Sequence, residues 1–521
     1  MMTNELASRS RYSFLRLSAS VLLSIFLVAC STVSIKDDIQ LQADSFAQPP
    51  ATEGLLADIA SDIITEHGEE YSGFRVLDGS HDSLYWRLAL IDSATTSLDI
   101  QTYLWYPDFS GRLLLERAIL ASQRGVKVRM IVDDLILHGH DQLIANLHAA
   151  ENIEFRMFNP WKNRSTLAVR VGEMVAKMER LNTRMHDKLM IVDGGAVVVG
   201  GRNIGDHYFG LHPVYNFHDT DLIGFGNIAL QANGMFDSFW NSSWVVSGED
   251  LTTAPDRDVS LKQRSMVQNY IANSKELQAF PREPKDWAEE LTAFASELRI
   301  GRSELVYDET AEEQIRQNML SSMFNFFNLA EKELLIQNAY VIPSDKAVNF
   351  LKEKVEAGVK VRMLTNSLES HDVPAVNSHY EPLRDDFINA GVDLWELRAD
   401  PAIKDTVVDV APVSSEFTGL HSKCAVADRR YVFIGSMNLD PRSVKINTEM
   451  GAMVDSPELA EDLAKVIERN MSGENAWHVQ MDENGDLFWE SSEETLTKQP
   501  ARDNTQRIMN VLMKLGPKDQ Y

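Results

Sequence analysis

An internal duplication most constrains how this chain of 521 residues can fold. The pattern His-x-Lys-x4-Asp, followed by Gly and Asn, occurs twice with a constant offset of 235 positions. The matched residues are His186, Lys188, Asp193, Gly200 and Asn203, and then His421, Lys423, Asp428, Gly435 and Asn438. Five matches at average composition have chance odds of roughly 10⁻⁶ per placement. The pattern therefore indicates two homologous halves.

Further repeats extend the duplication away from this motif. The repeated stretches are 125–130 with 358–363, 100–101 with 336–337 and, more weakly, the His-Asp pairs at 140–141 and 371–372. Their separation predicts two large units of about 200 residues each, rather than an array of short repeats.

Each motif has the pattern of a buried β-hairpin. In the first copy, the apolar runs 189–192 and 196–199 flank an Asp-Gly-Gly turn sequence. His186 and Lys188 lie two positions apart, so their side chains project from the same face where the strand begins. Asn203 follows the return strand, and the three side chains are expected to converge.

Strands and helices alternate outside the hairpins, which predicts an α/β fold with a mixed sheet in each half. The predicted strands are 97–104, 127–133, 154–158, 334–337, 360–364 and 393–397, and the predicted helices are 84–93, 111–124 and 344–357. The predicted segments are a targeting segment at 1–29, a polar tether at 30–70, the first half at 71–245, a mostly helical connection at 246–325, the second half at 326–475 and a C-terminal extension at 476–521.

The N-terminus has the organisation of an export signal, with three arginines before an apolar run at 17–29. This run is too short for a confident membrane span. Its ending, Leu27-Val28-Ala29-Cys30, resembles the lipobox of bacterial lipoproteins, which implies lipidation of Cys30. An ordinary signal peptide or an uncleaved anchor is the alternative. Cys424 is the only other cysteine and lies in an apolar run, so it is expected to be a core residue.

The chain is strongly acidic, with a formal charge of −27 that becomes −29 when residues 1–29 are removed. A long polyanion such as DNA would be repelled, which disfavours a nucleic-acid partner. An anionic bilayer would be repelled as well, so a covalent lipid would matter for attachment to a membrane.

The twin motifs resemble those of the phospholipase D superfamily, over roughly residues 70–475. Within it, the segments 200–206, 435–443 and 447–449 resemble the bacterial cardiolipin synthase C-like subgroup. The resemblance implies two α/β/α sandwich halves with one active site at their interface. Because both motifs are in one chain, a monomer suffices for a complete site. No metal or other cofactor is expected, since no Cys/His cluster has metal-site spacing.

The residue types suit phosphodiester chemistry, which needs positive charge, a nucleophile and an acid. One imidazole would attack phosphorus and form a phosphohistidine, and the other would protonate the leaving alkoxide and later deprotonate the acceptor. The resemblance implies His186 as the nucleophile and His421 as the general acid and base; the residues alone leave the roles interchangeable. The phosphoryl oxygens would be bound by Lys188, Lys423, Asn203 and Asn438.

Four carboxylates are expected to support the site. Asp193 and Asp428 lie at the far end of the strand from the histidines and are expected to pin the hairpin turn. Each histidine also needs a carboxylate that fixes its tautomer. Asp219 and Glu449, which follow the respective histidines by 33 and 28 residues, are the candidates, and Asp221 is the rival of Asp219.

The leading functional hypothesis is a phosphatidyltransferase that makes cardiolipin from phosphatidylglycerol and a second glycerophospholipid at a membrane. The alternatives are hydrolysis of the same intermediate by water, as in a phospholipase D or an envelope nuclease, and a non-enzymatic lipoprotein scaffold. The expected location is the periplasmic side of a bacterial cell envelope, with an anchor at Cys30; Ser31 favours the outer membrane.

Overall fold

A computed structural model describes residues 34–36, 43–164, 167–311 and 314–516. The predicted targeting segment, Cys30 and Ser31 lie outside the described residues. Within the described ranges, none of the helices combines the length and the apolar character needed to cross a membrane.

The first half alternates strands with helices, as its sequence pattern predicts. Its elements are α1 (Leu55–His67), β1 (Tyr71–Leu77), α2 (Ser80–Ser93), β2 (Ser97–Thr102), α3 (Phe109–Gln123), β3 (Lys127–Asp133), α4 (Asp141–His148), β4 (Ile153–Phe158), α5 (Leu167–Ala176), α6 (Met178–Asn182), β5 (Leu189–Val192), β6 (Ala196–Gly200), β7 (Tyr215–His218), β8 (Asp221–Gly226), α7 (Asn227–Trp240) and β9 (Val245–Ser247).

The rest of the described chain repeats this order after two connecting helices. Its elements are α8 (Arg257–Asn273), α9 (Ala288–Ala295), β10 (Arg299–Tyr307), β11 (Glu309–Thr310), β12 (Ile315–Arg316), α10 (Met319–Asn328), β13 (Glu333–Asn338), α11 (Asp345–Glu356), β14 (Lys360–Asn366), α12 (Pro374–Tyr380), α13 (Leu383–Asn389), β15 (Asp393–Leu397), β16 (Phe417–Leu420), β17 (Lys423–Ala427), β18 (Tyr431–Gly435), α14 (Pro441–Lys445), β19 (Met450–Asp455), α15 (Pro457–Asn470), β20 (Ala476–Met481), β21 (Leu487–Glu490), β22 (Thr495–Leu496) and α16 (Asn504–Met513).

One mixed sheet of 18 strands runs through both halves. Pairwise register gives the order β9-β4-β3-β2-β5-β6-β8-β1 in the first half. The order continues as β10-β19-β18-β17-β13-β14-β15-β20-β21-β22 in the second. Strands β1 and β10 pair antiparallel at the centre. The two halves therefore have the same topology and are related by a pseudo-two-fold axis between these two strands.

Apolar side chains from alternate strand positions fill both faces of the sheet. Met190 and Ile191, neighbours in β5, belong to different buried clusters because strand side chains alternate. One cluster spans both halves and joins α7, through Phe236, to α15, through Leu463. On the other face each half has its own helices and its own cluster. Both halves are thus helix–sheet–helix sandwiches that share one of their core layers, which confirms the predicted α/β fold.

Several predicted elements agree closely with the structure, and two segments differ. The strands at 127–133 and 393–397 have the predicted bounds. The segment 246–325, expected to be mostly helical, also contains the strand β10, which pairs with β1 and β19. The charged residues within β10 interrupt its apolar pattern, so the sequence does not predict this strand. The segment beyond 475 begins with β20, which pairs with β15. Cys424 is buried in β17, as expected for a core residue.

Both hairpin-turn aspartates hold the connection that precedes a neighbouring strand. Asp193 and Asp428 each have a φ of 53°, a left-handed conformation that Asp tolerates better than most residues. The carboxylate of Asp193 accepts backbone N–H groups at 2.7–3.0 Å, from Thr95, Thr96 and Ser97. That of Asp428 accepts N–H groups at 2.8–2.9 Å, from Glu331, Lys332 and Glu333. This geometry matches the turn-pinning role expected from the sequence.

We predict that Asp193→Ala lowers the free energy of unfolding by about 2–3 kcal/mol, because three N–H groups near a buried strand lose their acceptor. Asp428→Ala should have a smaller effect, since its partners are more exposed and water can replace the carboxylate. Urea unfolding measures both changes, with Asp486→Ala on an exposed turn as the control. Equal and small effects for both variants would contradict the turn-pinning role.

Candidate active site

Both motif histidines lie where the two halves meet. The backbone N–H of His186 donates to the carbonyl of Thr448 at 3.0 Å, and that of His421 donates to the carbonyl of His218 at 2.8 Å. The second contact continues a short parallel pairing of β7 with β16. Thr448 and His218 directly precede Glu449 and Asp219, so each bond brings a histidine next to a carboxylate of the other half.

Each imidazole is held by a carboxylate from the opposite half. His186 Nδ1 lies 2.8 Å from Glu449 Oε2, and His421 Nδ1 lies 2.6 Å from Asp219 Oδ2. An ionised carboxylate only accepts hydrogen bonds, so Nδ1 carries the proton and Nε2 has a free lone pair. Separation along the sequence predicts that each carboxylate pairs with the histidine that precedes it. The structure corrects this pairing, because the pseudo-two-fold axis exchanges the partners between halves.

Asp221, the rival of Asp219, has a different environment. Its carboxylate lies 2.8 Å from Arg87 Nη2 and 3.1 Å from Arg202 Nη1, and all three side chains are largely buried. This cluster neutralises Asp221 and positions the loop after β6. Asp219 is therefore the carboxylate that contacts a histidine in this segment.

The two carboxylates are supported in different ways. Glu449 accepts hydrogen bonds from the hydroxyl groups of Ser436, at 2.5 Å, and Ser443, at 2.6 Å. Gly201 occupies the position that Ser436 has in the second half, and a Cβ there would lie only 2.5 Å from Asp219 Oδ1. The difference between Gly-Gly in the first motif and Gly-Ser in the second thus has a physical cause. Asp219 needs the space that Gly201 leaves, whereas Glu449 receives a hydrogen bond from Ser436.

Two buried lysines supply the positive charge of the site. The ammonium groups of Lys188 and Lys423 each donate to the carbonyl of the motif histidine two residues earlier. Burial lowers the pKa of Lys188 to about 7 and that of Lys423 to about 8. Across the described residues, no cluster of three or more His, Cys, Asp or Glu side chains is arranged to hold a metal ion.

Burial and the lysines favour the neutral form of both imidazoles. Burial, followed by Lys188 and Lys423, lowers the pKa of His186 well below its ordinary value. Burial and Lys423 lower the pKa of His421 to about 3. Because phosphodiesters are anionic, a bound substrate would counteract the lysine charges and favour protonation of an imidazole.

The two carboxylates also differ in their tendency to ionise. Burial raises the pKa of Glu449 to about 7, although Lys188 and Ser436 oppose this shift. Burial also raises the pKa of Asp219, but His421 and Lys423 outweigh burial and hold that pKa below its ordinary value. The pKa of Asp219 is therefore lower than that of Glu449, so the negative charge beside His421 is held more firmly than the one beside His186.

The motif asparagines are connected to the histidine of the opposite half through other side chains. Asn203 Nδ2 donates to the hydroxyl of Tyr208 at 2.8 Å, and the ring of Tyr208 lies edge-on to His421. The backbone N–H of Asn438 donates to Ser443, which in turn binds Glu449. The buried Oδ1 of Asn438 has no hydrogen-bond partner within the described part of the chain.

Aromatic side chains around the histidines were not found by the sequence reasoning. The ring of Tyr103 lies 5.1 Å from that of His186, and the ring of Tyr340 lies 6.3 Å from that of His421, both edge-on. Tyr340 also stacks on His371, which belongs to the weakest of the repeated pairs. A signal existed, because both tyrosines follow the repeated Ile-Gln pairs, but a one-residue shift in spacing between the copies obscured it.

Known proteins match both the sequence and the fold. A family model described as the PLD-like domain of cardiolipin synthase matches residues 88–240 and 323–471, one match in each half. The chain belongs to this branch of the phospholipase D superfamily. It is 30% identical over 472 residues to cardiolipin synthase C of Escherichia coli strain K12, which covers 89% of this chain and 98% of that protein.

Two further similarities agree with this membership. The chain is 25% identical over 369 residues to a cardiolipin synthase of Clostridium perfringens strain SM101, which covers 70% of this chain and 63% of that protein. The crystal structure of phosphatidylserine synthase of Haemophilus influenzae Rd KW20 is similar in fold, with a TM-score of 0.52 at 13% sequence identity. That similarity covers 79% of this chain and 89% of the solved one.

The crossed pairing predicts which histidine responds to each carboxylate substitution. Asp219→Asn should lower the pKa of His421 further, because the negative charge at its Nδ1 is lost, and leave His186 unchanged. Glu449→Gln should affect only His186, since Glu449 contacts the Nδ1 of that ring and not the ring of His421. Nitrogen NMR of assigned histidines measures both shifts. A response of His186 to Asp219→Asn would refute the crossed arrangement.

Proposed function

We propose that the protein is a phosphatidyltransferase that makes cardiolipin from phosphatidylglycerol and a second glycerophospholipid through a phosphohistidine intermediate. The observation that carries the proposal is the pair of crossed imidazole–carboxylate contacts beside two buried lysines. Two histidines of fixed tautomer are what a double displacement at phosphorus needs. The names of the relatives, two of which are cardiolipin synthases, support this substrate class.

In the first step, Nε2 of His186 attacks the phosphorus of phosphatidylglycerol. The N–P bond forms and the bond from phosphorus to the glycerol oxygen breaks. His421, which takes up a proton at Nε2 when the anionic substrate binds, gives that proton to the departing oxygen. The environments favour these roles, because Asp219, with its lowered pKa, stabilises an imidazolium at His421 more than Glu449, with its raised pKa, stabilises one at His186. Lys188 and Lys423 balance the charge of the phosphoryl oxygens.

In the second step, an acceptor hydroxyl attacks the phosphohistidine: the new O–P bond forms, the N–P bond to His186 breaks, and Nε2 of His421 removes the proton of the hydroxyl. Phosphatidyl transfer results if the hydroxyl belongs to a phospholipid, and hydrolysis results if it belongs to water. The histidines are only 7% and 5% exposed, and aromatic rings lie against both of them. This enclosure restricts water and favours transfer. A nuclease is disfavoured, because the net charge of −27 repels a polyanion.

The proposed site of action is the periplasmic side of a bacterial envelope, with the outer membrane favoured by Ser31. The export-type sequence at 1–29 and the lipobox-like residues up to Cys30 support lipid anchoring there. Both motifs lie in one chain, so we propose that the monomer is active, and that catalysis uses the two lysines without a metal.

The direct test is incubation of the full chain with labelled phosphatidylglycerol vesicles, with and without a second phospholipid. Cardiolipin with released glycerol would establish transfer. Phosphatidic acid alone would make the protein a hydrolase, and no reaction on either lipid would refute the phospholipid substrate. Chromatographic separation of the labelled lipids distinguishes these outcomes.

His186→Ala and His421→Ala should each reduce turnover at least about 1,000-fold, because each removes one reactant of the double displacement. In His421→Ala, a labelled phosphatidyl donor whose leaving group needs no protonation, such as a nitrophenolate, should leave its phosphatidyl group on His186, since deprotonation of the acceptor is lost. His140→Ala, outside the site, is the matched control. Label found on His421 in His186→Ala would reverse the two roles.

Anion binding should be coupled to proton uptake. A bound anion raises the pKa of both lysines from their values of about 7 and about 8, so protons are taken up near pH 8 and affinity falls from pH 7 to pH 9. Calorimetry of tungstate binding in two buffers of different ionisation enthalpy measures the uptake. Lys188→Arg should reduce it, because a guanidinium stays charged. Binding without proton uptake at pH 8 would contradict the shifted lysines.

A further inference from the structure

The C-terminal helix α16 packs with its polar side inward and its apolar side outward. Gln506 and Asn510, one turn apart, are 7% and 1% exposed. The outward side carries large aliphatic side chains at helical spacing, with exposures of 61%, 61%, 55% and 88%, at Ile508, Val511, Leu512 and Leu515. A surface helix normally has the opposite orientation.

Specific hydrogen bonds hold α16 in this orientation. Gln506 Nε2 donates to the carbonyl of Leu368 at 2.5 Å. Asn510 accepts from Asn377 Nδ2 at 2.8 Å and donates to Glu381 Oε2 at 2.7 Å. Rotation of the helix would bury the aliphatic side chains but leave these polar groups unpaired. The exposed aliphatic stripe is therefore a stable property of the fold.

The segment before α16 is joined to the active site by direct contacts. The guanidinium of Arg502 lies 3.7 Å from the ring centroid of Phe417, and its Nη1 lies 3.4 Å from the carbonyl of His371. The ring of His371 stacks on that of Tyr340, which is edge-on to His421. The exposed stripe is thus attached to the part of the site that surrounds His421.

The sequence around α16 is richer in basic residues than the chain as a whole, which has a net charge of −27. Residues 498–516 contain one acidic residue, Asp503, and four basic residues, which are Lys498, Arg502, Arg507 and Lys514. Of these, Arg507 lies within α16 and Lys514 pairs with Glu381 at 3.1 Å. An aliphatic stripe flanked by basic side chains fits the interface of an anionic bilayer, where apolar side chains enter the acyl region and cations meet phosphates.

We propose that α16 lies in the surface of an anionic phospholipid bilayer and holds the His421 side of the active site against it. The inference rests on the proposed function only for the choice of a bilayer as the surface. Basic residues beside the stripe also reduce the repulsion between an acidic chain and anionic lipid, because charges farther apart than about one Debye length, roughly 8–10 Å at physiological salt, are largely screened.

A fluorescent probe on α16 tests this placement. Val511→Cys in the full chain with Cys30→Ala is labelled with an environment-sensitive dye, since Cys424 is buried. With vesicles containing phosphatidylglycerol, we expect a blue shift of the dye and quenching by nitroxide-labelled lipids, and a weaker response with phosphatidylcholine alone. Leu261→Cys, at a site of 59% exposure on α8, is the matched control and should not respond.

A second exposed apolar surface provides an internal comparison. Val171 and Val175 on α5 are 54% and 71% exposed, and a dye at Val175→Cys reports on that surface. A response at Val175 without one at Val511 would overturn the proposal. A dye at Val511 that stays in a polar environment on every vesicle would overturn it as well.

Activity measurements separate bilayer docking from the chemistry. The double variant Ile508→Gln with Leu512→Gln should lower the rate on phosphatidylglycerol in vesicles about tenfold, through lost apolar insertion. It should leave the rate on a soluble short-chain phosphodiester within about twofold, as should Leu261→Gln on both substrates. Equal losses on both substrates would overturn the docking role.

The proposed function and the docking proposal can fail separately. Lipid insertion of the dye at Val511 without any phosphatidyl product would refute the proposed reaction and support docking. Full phosphatidyl transfer with the dye in water would support the reaction and refute docking.

Discussion

The hydrogen bond from each imidazole to a carboxylate of the other half is the interaction on which the site depends. A histidine on one half has no fixed tautomer until the other half supplies Glu449 or Asp219. The halves are kept in register by the β1–β10 pairing and by the core layer that α7 and α15 share. The continuous sheet and the shared core are therefore as necessary to the site as the motifs themselves.

Duplication produces a symmetric frame, but a double displacement needs two histidines with different tasks. Small differences at equivalent positions supply this asymmetry. Gly201 leaves space for Asp219, whereas Ser436 donates a hydrogen bond to Glu449. The pKa of Asp219 is lowered and that of Glu449 is raised, so the two imidazoles differ in how well they hold a positive charge. Environments that separate the protonation behaviour of paired groups are a recurrent way to assign acid and base roles.

Most local structure was predictable from the sequence, because it depends on near neighbours along the chain. Alternating apolar runs gave the strands at 127–133 and 393–397 and both hairpins. The offset of 235 identified the histidines and lysines, since residues of a duplicated site must recur together.

What the sequence reasoning missed depends on distant parts of the chain. Separation along the sequence cannot report that a pseudo-two-fold axis exchanges Asp219 and Glu449 between the histidines. Strand β10 was missed because its charged positions resemble a solvated segment, and it is stabilised by strands about 150 to 230 residues away. The inverted helix α16 and the enclosed histidines would favour the same outcome, transfer between lipids over hydrolysis, by physical means that no single motif residue encodes.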